Sequence, residues 1–240
     1  MNKLREKILE RYSSLYARVN RSIDPTEIKL REEKAKQLMY GDLIASLPKG
    51  SKILDLGCGT GFLLYWLSKQ PGIIPIGVDA SISQIKLAKQ FLSDIEIICE
   101  DGLNYLKSNP NEFSGIFCLD VLEHVPSEDL CLEWLERSRG AIKPGGFFYC
   151  RVPNAANLTG NYSRYMDITH KRVFTSTSIL QLLEAADFED CRIVPVRAAH
   201  LSGRVRLGIE SILHKIIFRI CGLGIERIFT NRVCAVGFRK

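Results

Sequence analysis

The sequence predicts an α/β fold in which a mostly parallel β-sheet is covered by helices on both faces. Three observations carry this. From Ser51 onward the apolar runs SKILDL, PIGVD, IEIICE, SGIFCLD and FFYCRV alternate with segments of helical spacing, the signature of βαβ units. The runs are continuously apolar rather than alternating, as strands buried on both faces are. The first run ends at Asp55-Leu56 and passes through Gly57, Gly59 and Gly61 into the next helix, a strand-to-helix turn suited to a ligand lying against backbone.

Taken in order, residues 1–50 read as two helices forming a lid or cap. In the first, Leu4, Ile8, Tyr12, Leu15 and Val19 recur at helical spacing. In the second, Asp24 caps, Pro25 fills the first helical position and Glu27 the third, and Ile28, Ala35, Leu38, Met39 and Leu43 continue an apolar stripe until Pro48 and Gly50 end it. Residues 51–240 then form the main domain. Its helices are expected from about Phe62, over 83–92, over 103–108, from Ser127 and over 176–186. The strand CRIVPV, a basic amphipathic helical insertion at about 201–230 and a last strand RVCAVGF complete it.

The chain has 240 residues, 46% of them hydrophobic and 25% charged, enough to bury one principal core. No apolar run approaches the ~20 residues that span a bilayer. The opening MNKLREKILERY lacks the apolar centre of a signal peptide, so the expected location is cytoplasmic. Eight cysteines are scattered without a CxxC and read as reduced, buried thiols rather than metal ligands. The net charge of +6 is unevenly placed: residues 191–240 carry ten Lys or Arg against two acids.

The glycine turn points to a nucleotide-type cofactor, and its spacing narrows the choice. A dinucleotide fingerprint wants Gly or Ala where Phe62 stands, and a phosphate loop wants a Gly-Lys-Ser/Thr that is missing. Asp55, just before the glycines, would repel a pyrophosphate and suits a ligand bearing an ammonium or sulfonium group. Asp79 ends the next strand, 22 residues after Gly57, where an acid can accept from both ribose hydroxyls.

LDLGCGTG, VDAS, CEDG at 99–102, LDVLEHVP at 119–126 and IKPGGFFYCRVPN at 142–154 together resemble the successive motifs of class I S-adenosylmethionine-dependent methyltransferases. The resemblance implies a Rossmann-like, seven-stranded sheet with an antiparallel last strand, and S-adenosylmethionine as cofactor. It places Asp55, Gly57, Cys58, Gly59 and Gly61 along the methionine part, Asp79 and Ala80 at the ribose, and Asp101 with Gly102 at the adenine. Asp120 would stand in the wall after the fourth strand.

Methyl transfer from a sulfonium needs an acceptor held in line and, for a hydroxyl, a base. His124 in LEHVP and His170 in RYMDITHKRVFT are the candidates, with Asp167 as an orienter of His170 or a member of a divalent-ion site. Glu123 reads as polar wall. The Asn- or Asp-Pro-Pro-aromatic sequence of amine-modifying relatives is missing, which favours hydroxyl or carbon acceptors. The stretch from Tyr165 to Phe188 resembles methyltransferases of bacterial glycan and cell-envelope sugar pathways, with Asp187 where that family has Gly. LDVLEHVP also resembles quinone-biosynthesis O-methyltransferases. A sugar or glycan hydroxyl is thus the first expectation and an aromatic hydroxyl the second, with a non-catalytic cofactor-binding scaffold as the reading from another class.

In the basic segment, Ile209, Ile212, Leu213, Ile216, Ile217 and Ile220 form an apolar stripe with His214, Lys215 and Arg219 on other faces. The stripe would meet the chain's own core, a second copy in a homodimer, or an anionic membrane surface at which the enzyme would be peripheral. No interleaved aromatics point to nucleic acid.

Overall fold

The computed structural model describes residues 36–223, apart from 38, and 226–240. The first expected N-terminal helix and most of the second lie outside the described residues. One seven-stranded sheet runs in the order β3-β2-β1-β4-β5-β7-β6. The strands are β1 (Ser51–Leu56), β2 (Ile73–Asp79), β3 (Glu96–Cys99), β4 (Phe113–Leu119), β5 (Ile142–Pro153), β6 (Glu189–Val194) and β7 (Arg232–Phe238). Strand β1 pairs in parallel with both β2 and β4, and β7 runs antiparallel between β5 and β6. The parallel sheet, the helices and the antiparallel last strand agree with the sequence expectation.

The chain falls into two compact units, Met1–Phe117 with Gly140–Lys143 and Cys118–Arg139 with Pro144–Lys240. In the first, β1 lies between β2 and β4, so strand order reverses beside it, and a crevice beyond the strand ends is the expected ligand position. Helices α1 (Phe62–Ser68), α2 (Ile82–Ala88) and α3 (Gly102–Ser108) follow β1, β2 and β3. Ile53, Leu54, Leu56, Leu64, Leu67, Val78, Ile116 and Phe117 are fully buried. The described end of the second N-terminal helix, over 36–45, buries Tyr40 and Ile44. The Tyr40 ring meets Trp66 and Phe117 edge-on, with centroids 5.9 and 5.0 Å apart. Its deepest face is therefore turned by one residue from the expected Met39 and Leu43, which are half-buried, because Tyr40 offers the larger apolar surface to the sheet.

In the second unit, helices α4 (Glu128–Ala141), α5 (Gly160–Tyr165), α6 (Ser176–Ala185) and α7 (Leu201–Ile220) accompany β5, β6 and β7. Thr175 and Ser178 close a reciprocal capping box on α6, which buries Ile179 and Leu183. Asp187 after α6 takes the left-handed conformation, φ 60°, which an Asp tolerates. All eight cysteines are free thiols, five of them buried.

Gly61 carries the tightest packing demand beside the strand ends. It has φ 81°, and a Cβ there would stand 2.5 Å from Leu92 Cδ1 and 3.3 Å from Ala88 Cβ. Gly50 has φ 85° but open space around it. Gly61→Ala should therefore lower the urea-unfolding free energy by about 2–4 kcal/mol, combining left-handed strain with overpacking. Gly50→Ala should lose only the strain, about 1–2 kcal/mol. Equal losses in the two variants would mean that Leu92 yields to the added methyl.

Candidate active site

The donor side is built at the ends of β1, β2 and β3. Gly57, Gly59 and Gly61 all have positive φ, 81°, 52° and 81°. The amides of Gly57 and Cys58 donate to Val78 O at 2.8 and 3.0 Å, fastening the turn to the end of β2. Gly59 differs from Gly61 in that a Cβ would meet nothing within 4 Å. Its N–H donates to Asp79 Oδ2 at 2.8 Å, and Ser81 N–H donates to Oδ1 at 2.7 Å. Two amides thus aim the Asp79 carboxyl and leave each oxygen a further lone pair for a ribose hydroxyl. Burial lifts its pKa above the ordinary value against those two bonds.

Asp55 is 3% exposed at the end of β1, and Ala80 is exposed beside Asp79. Asp101 caps α3, Oδ1 accepting from Leu103 N at 3.1 Å and Asn104 N at 3.4 Å, and Gly102 begins that helix buried. The Cys58 side chain turns into the core with Leu64, Ile85, Ala88, Leu92 and Ile97, burial drives its thiol pKa upward, and its backbone N–H and carbonyl are bonded to Val78 O and Gly61 N. Phe62 is 42% exposed; its ring lies 5.8 Å from the Lys36 ammonium, which also donates to Phe62 O at 2.6 Å. The close approach in this turn is at Gly61. The open cradle at Gly59 and the aimed Asp79 carboxyl beside Asp55 fit an adenosyl sulfonium donor better than a pyrophosphate.

The second polar cluster follows β4. Asp120, with φ 56°, is not an open wall residue: Arg151 and Arg232 clasp its carboxylate, through Arg151 Nε and Arg232 Nε at 3.0 Å and a further short contact from the second Arg151 nitrogen. Its N–H donates to Arg151 O at 2.8 Å. Burial pushes its pKa up, but the two guanidiniums outweigh this and hold it below the ordinary value. The chain then enters a 3-10 turn, Leu122–His124. Glu123 is completely buried, and among the described residues neither carboxyl oxygen has a hydrogen-bond partner. Burial first and the Asp120 charge second raise its pKa well above the usual carboxylate range, which favours the protonated acid.

Its backbone carbonyl accepts from Lys171 N at 2.6 Å and Arg172 N at 3.4 Å, pinning the 167–172 loop to the turn. That brings His170, 8% exposed, against His124 with ring centroids 4.7 Å apart at 65°. Hydrogen-bond partners fix both tautomers. Thr169 Oγ1 donates its only proton to Asp167 Oδ1 at 2.6 Å and so accepts from His124 Nδ1 at 2.8 Å. His170 Nδ1 faces the carbonyl of Ser163 at 2.6 Å and must donate. In each ring Nε2 is left as the acceptor. Burial and the neighbouring His170 lower the His124 pKa to about 4. Asp167 is held below its ordinary value by the two bonds from Thr169, against burial.

Asp167 therefore orients His124 through Thr169 rather than orienting His170, whose partner is Ser163. Thr169 and the buried role of Glu123 escaped sequence reasoning. The Asp-x-Thr spacing carried the signal for Thr169, since Asp commonly accepts from a backbone and hydroxyl two residues on, as Thr169 N does at 2.8 Å here. Ligand atoms of Glu123, His124 and His170 lie within 4.8 Å of one another, a donor set able to hold a divalent ion, whereas Asp167 is not part of it.

A protein-family model described as a methyltransferase domain matches residues 29–192. A ubiquinone biosynthesis O-methyltransferase of Thiobacillus denitrificans is 31% identical over 190 residues, 76% of this chain and 75% of that protein. One of Coxiella burnetii is 37% identical over 110 residues, 44% of this chain and 45% of that protein, so the match spans less than half the length of that relative. The structure of a SAM-dependent methyltransferase from Archaeoglobus fulgidus aligns with a TM-score of 0.68 at 22% identity, covering 95% of this chain and 100% of that one, a likeness of fold.

The neutral Glu123 gives a signed pH prediction. Above its ordinary value of 4.5 the unfolded chain releases this proton while the folded chain keeps it. Stability therefore falls as pH rises, by about 1.4 kcal/mol per unit for one proton, until the folded-state pKa is reached. In chelator-treated buffer, Glu123→Gln should gain more than about 1 kcal/mol relative to the parent between pH 5 and pH 8 in urea unfolding. A difference independent of pH would mean that Glu123 is ionised in the fold.

Proposed function

We propose an acceptor from the premise that the chain belongs to the methyltransferase domain family: it uses S-adenosylmethionine to O-methylate a phenolic hydroxyl on a quinone-precursor-like aromatic ring. Gly57, Gly59 and Asp55 would hold the methionine part, Asp79 and Ala80 the ribose, and Asp101 with Gly102 the adenine. The bound cofactor supplies an activated methyl group. The chain's own residues orient the acceptor, exclude water and take its proton.

The observation that carries the acceptor reading is His124, a neutral imidazole with its proton fixed on Nδ1 and a pKa of about 4. Such a weak base suits a hydroxyl already inclined to ionise. A phenol loses its proton near pKa ~10, whereas an alkyl hydroxyl is closer to the ~15.7 of water. The relatives named as ubiquinone biosynthesis O-methyltransferases favour the same class. The sugar hydroxyl that came first from sequence receives no support from them.

Methyl transfer should be seen with hydroxylated aromatic quinone precursors and not with sugar nucleotides. Transfer to sugars alone would overturn the reading. His124→Ala should reduce kcat by about 10²–10⁴-fold, with cofactor affinity by calorimetry unchanged, and Thr169→Val should fall between the two. Because the base works unprotonated, kcat/KM should hold down to about pH 5 and drop toward the His124 pKa near 4. An acid limb centred at the ordinary imidazole value of 6.5 would remove His124 as the base.

A further inference from the structure

Helix α7 is amphipathic in the opposite sense to a helix packed by its apolar stripe. At 3.6 residues per turn, Leu201, Val205, Ile209, Ile212, Ile216 and Ile220 share one broad face, and all are 51–80% exposed. The inward face is held instead by polar and aromatic contacts. His214 Nδ1 donates to Glu210 O at 2.7 Å and its Nε2 accepts from Leu158 N at 2.8 Å. Its ring stacks on Phe229, centroids 5.3 Å apart, and Phe218 meets Phe229 edge-on at 4.8 Å. Asn157 Nδ2 donates to Glu210 Oε1 at 2.7 Å. The anchor therefore fixes the helix with its isoleucines outward, and of the expected packings the one on the chain's own core is not what the described residues show.

Charge says what the exposed face meets. Arg204, Lys215 and Arg219 run along one border of the stripe and Arg206 along the other, all exposed. Glu210, the helix's single acid, is turned to Asn157. A stripe flanked only by cations, with stems able to snorkel along it, complements an anionic lipid surface. A self-associating face bordered by like charges would bring those cations together across a two-fold. No described helix is long and apolar enough to cross a membrane, so α7 would lie on the surface over its ~30 Å length. We propose that α7 is a membrane-docking helix that seats the protein on anionic bilayers, its isoleucine face in the acyl boundary and its Arg and Lys at the headgroups. This goes beyond the acceptor reading and does not depend on it.

The test is flotation of the full chain with vesicles of phosphatidylcholine alone or with about 30% phosphatidylglycerol, and needs no turnover. The chain should float with the anionic vesicles, and detach as salt rises from about 0.1 to 1 M and the screening length shrinks from ~10 to ~3 Å. Lys215→Gln with Arg219→Gln should weaken partitioning about 25-fold, at about fivefold per cation. Ile212→Ser with Ile216→Ser should abolish it while urea unfolding stays close to the parent. The proposal is overturned by no flotation, by equal flotation with neutral vesicles, or by binding that both double variants retain. It is also overturned if light scattering shows a dimer that Ile212→Ser with Ile216→Ser dissolves, since a second copy would then cover the face.

Discussion

The carboxylate of Asp120, clasped by Arg151 from β5 and Arg232 from β7, is the interaction on which the polar cluster after β4 depends. Its left-handed backbone ends β4 and throws the chain into the 3-10 turn. Its fixed negative charge adds to burial in keeping the next carboxyl, Glu123, protonated. The side chains of this network are 29–35% exposed, so its role is geometric more than energetic: the two arginines tie the start of the turn to β5 and β7.

Two neighbouring carboxyls in opposite protonation states are a recurrent way for one small region to present both a charge and a neutral acid. Here the division comes from burial and from which carboxyl has cationic partners. Asp120 has two guanidiniums, and Glu123, three residues on, has none and is sealed from water. A neutral carboxyl beside two imidazole acceptor nitrogens can donate a hydrogen bond where an ionised one could only accept.

Much of this fold was legible because its signals are local. Continuous apolar runs identify strands buried on both faces, and the βαβ alternation does not depend on distant contacts. Gly59 and Asp79 were legible for the same reason, since turn and strand end are close in sequence. What escaped depends on partners far along the chain. The close packing at Gly61 was not legible, because only the fold brings Leu92 to that turn. The α7 stripe predicts amphipathicity but not which face turns inward; His214 decides that through Leu158 and Phe229. The link from Asp167 through Thr169 to His124 was not legible, because it depends on the 167–172 loop folding back onto the Glu123 carbonyl.

The hydroxyl of Thr169 between Asp167 and His124 has a chemical consequence of its own. A carboxylate in direct contact with an imidazole stabilises the imidazolium and raises its pKa. With Thr169 interposed, Asp167 still fixes the tautomer, because the threonine proton is committed to Oδ1 and its lone pair to Nδ1–H. The carboxylate's charge is then too remote to overcome burial and the adjacent His170, and the ring stays neutral. Orientation and charge are thereby separated: the relay delivers a lone pair at Nε2 without the protonation that would consume it. A ring so arranged is a weak base held in one geometry, and it has most effect on an acceptor whose proton is already easily lost.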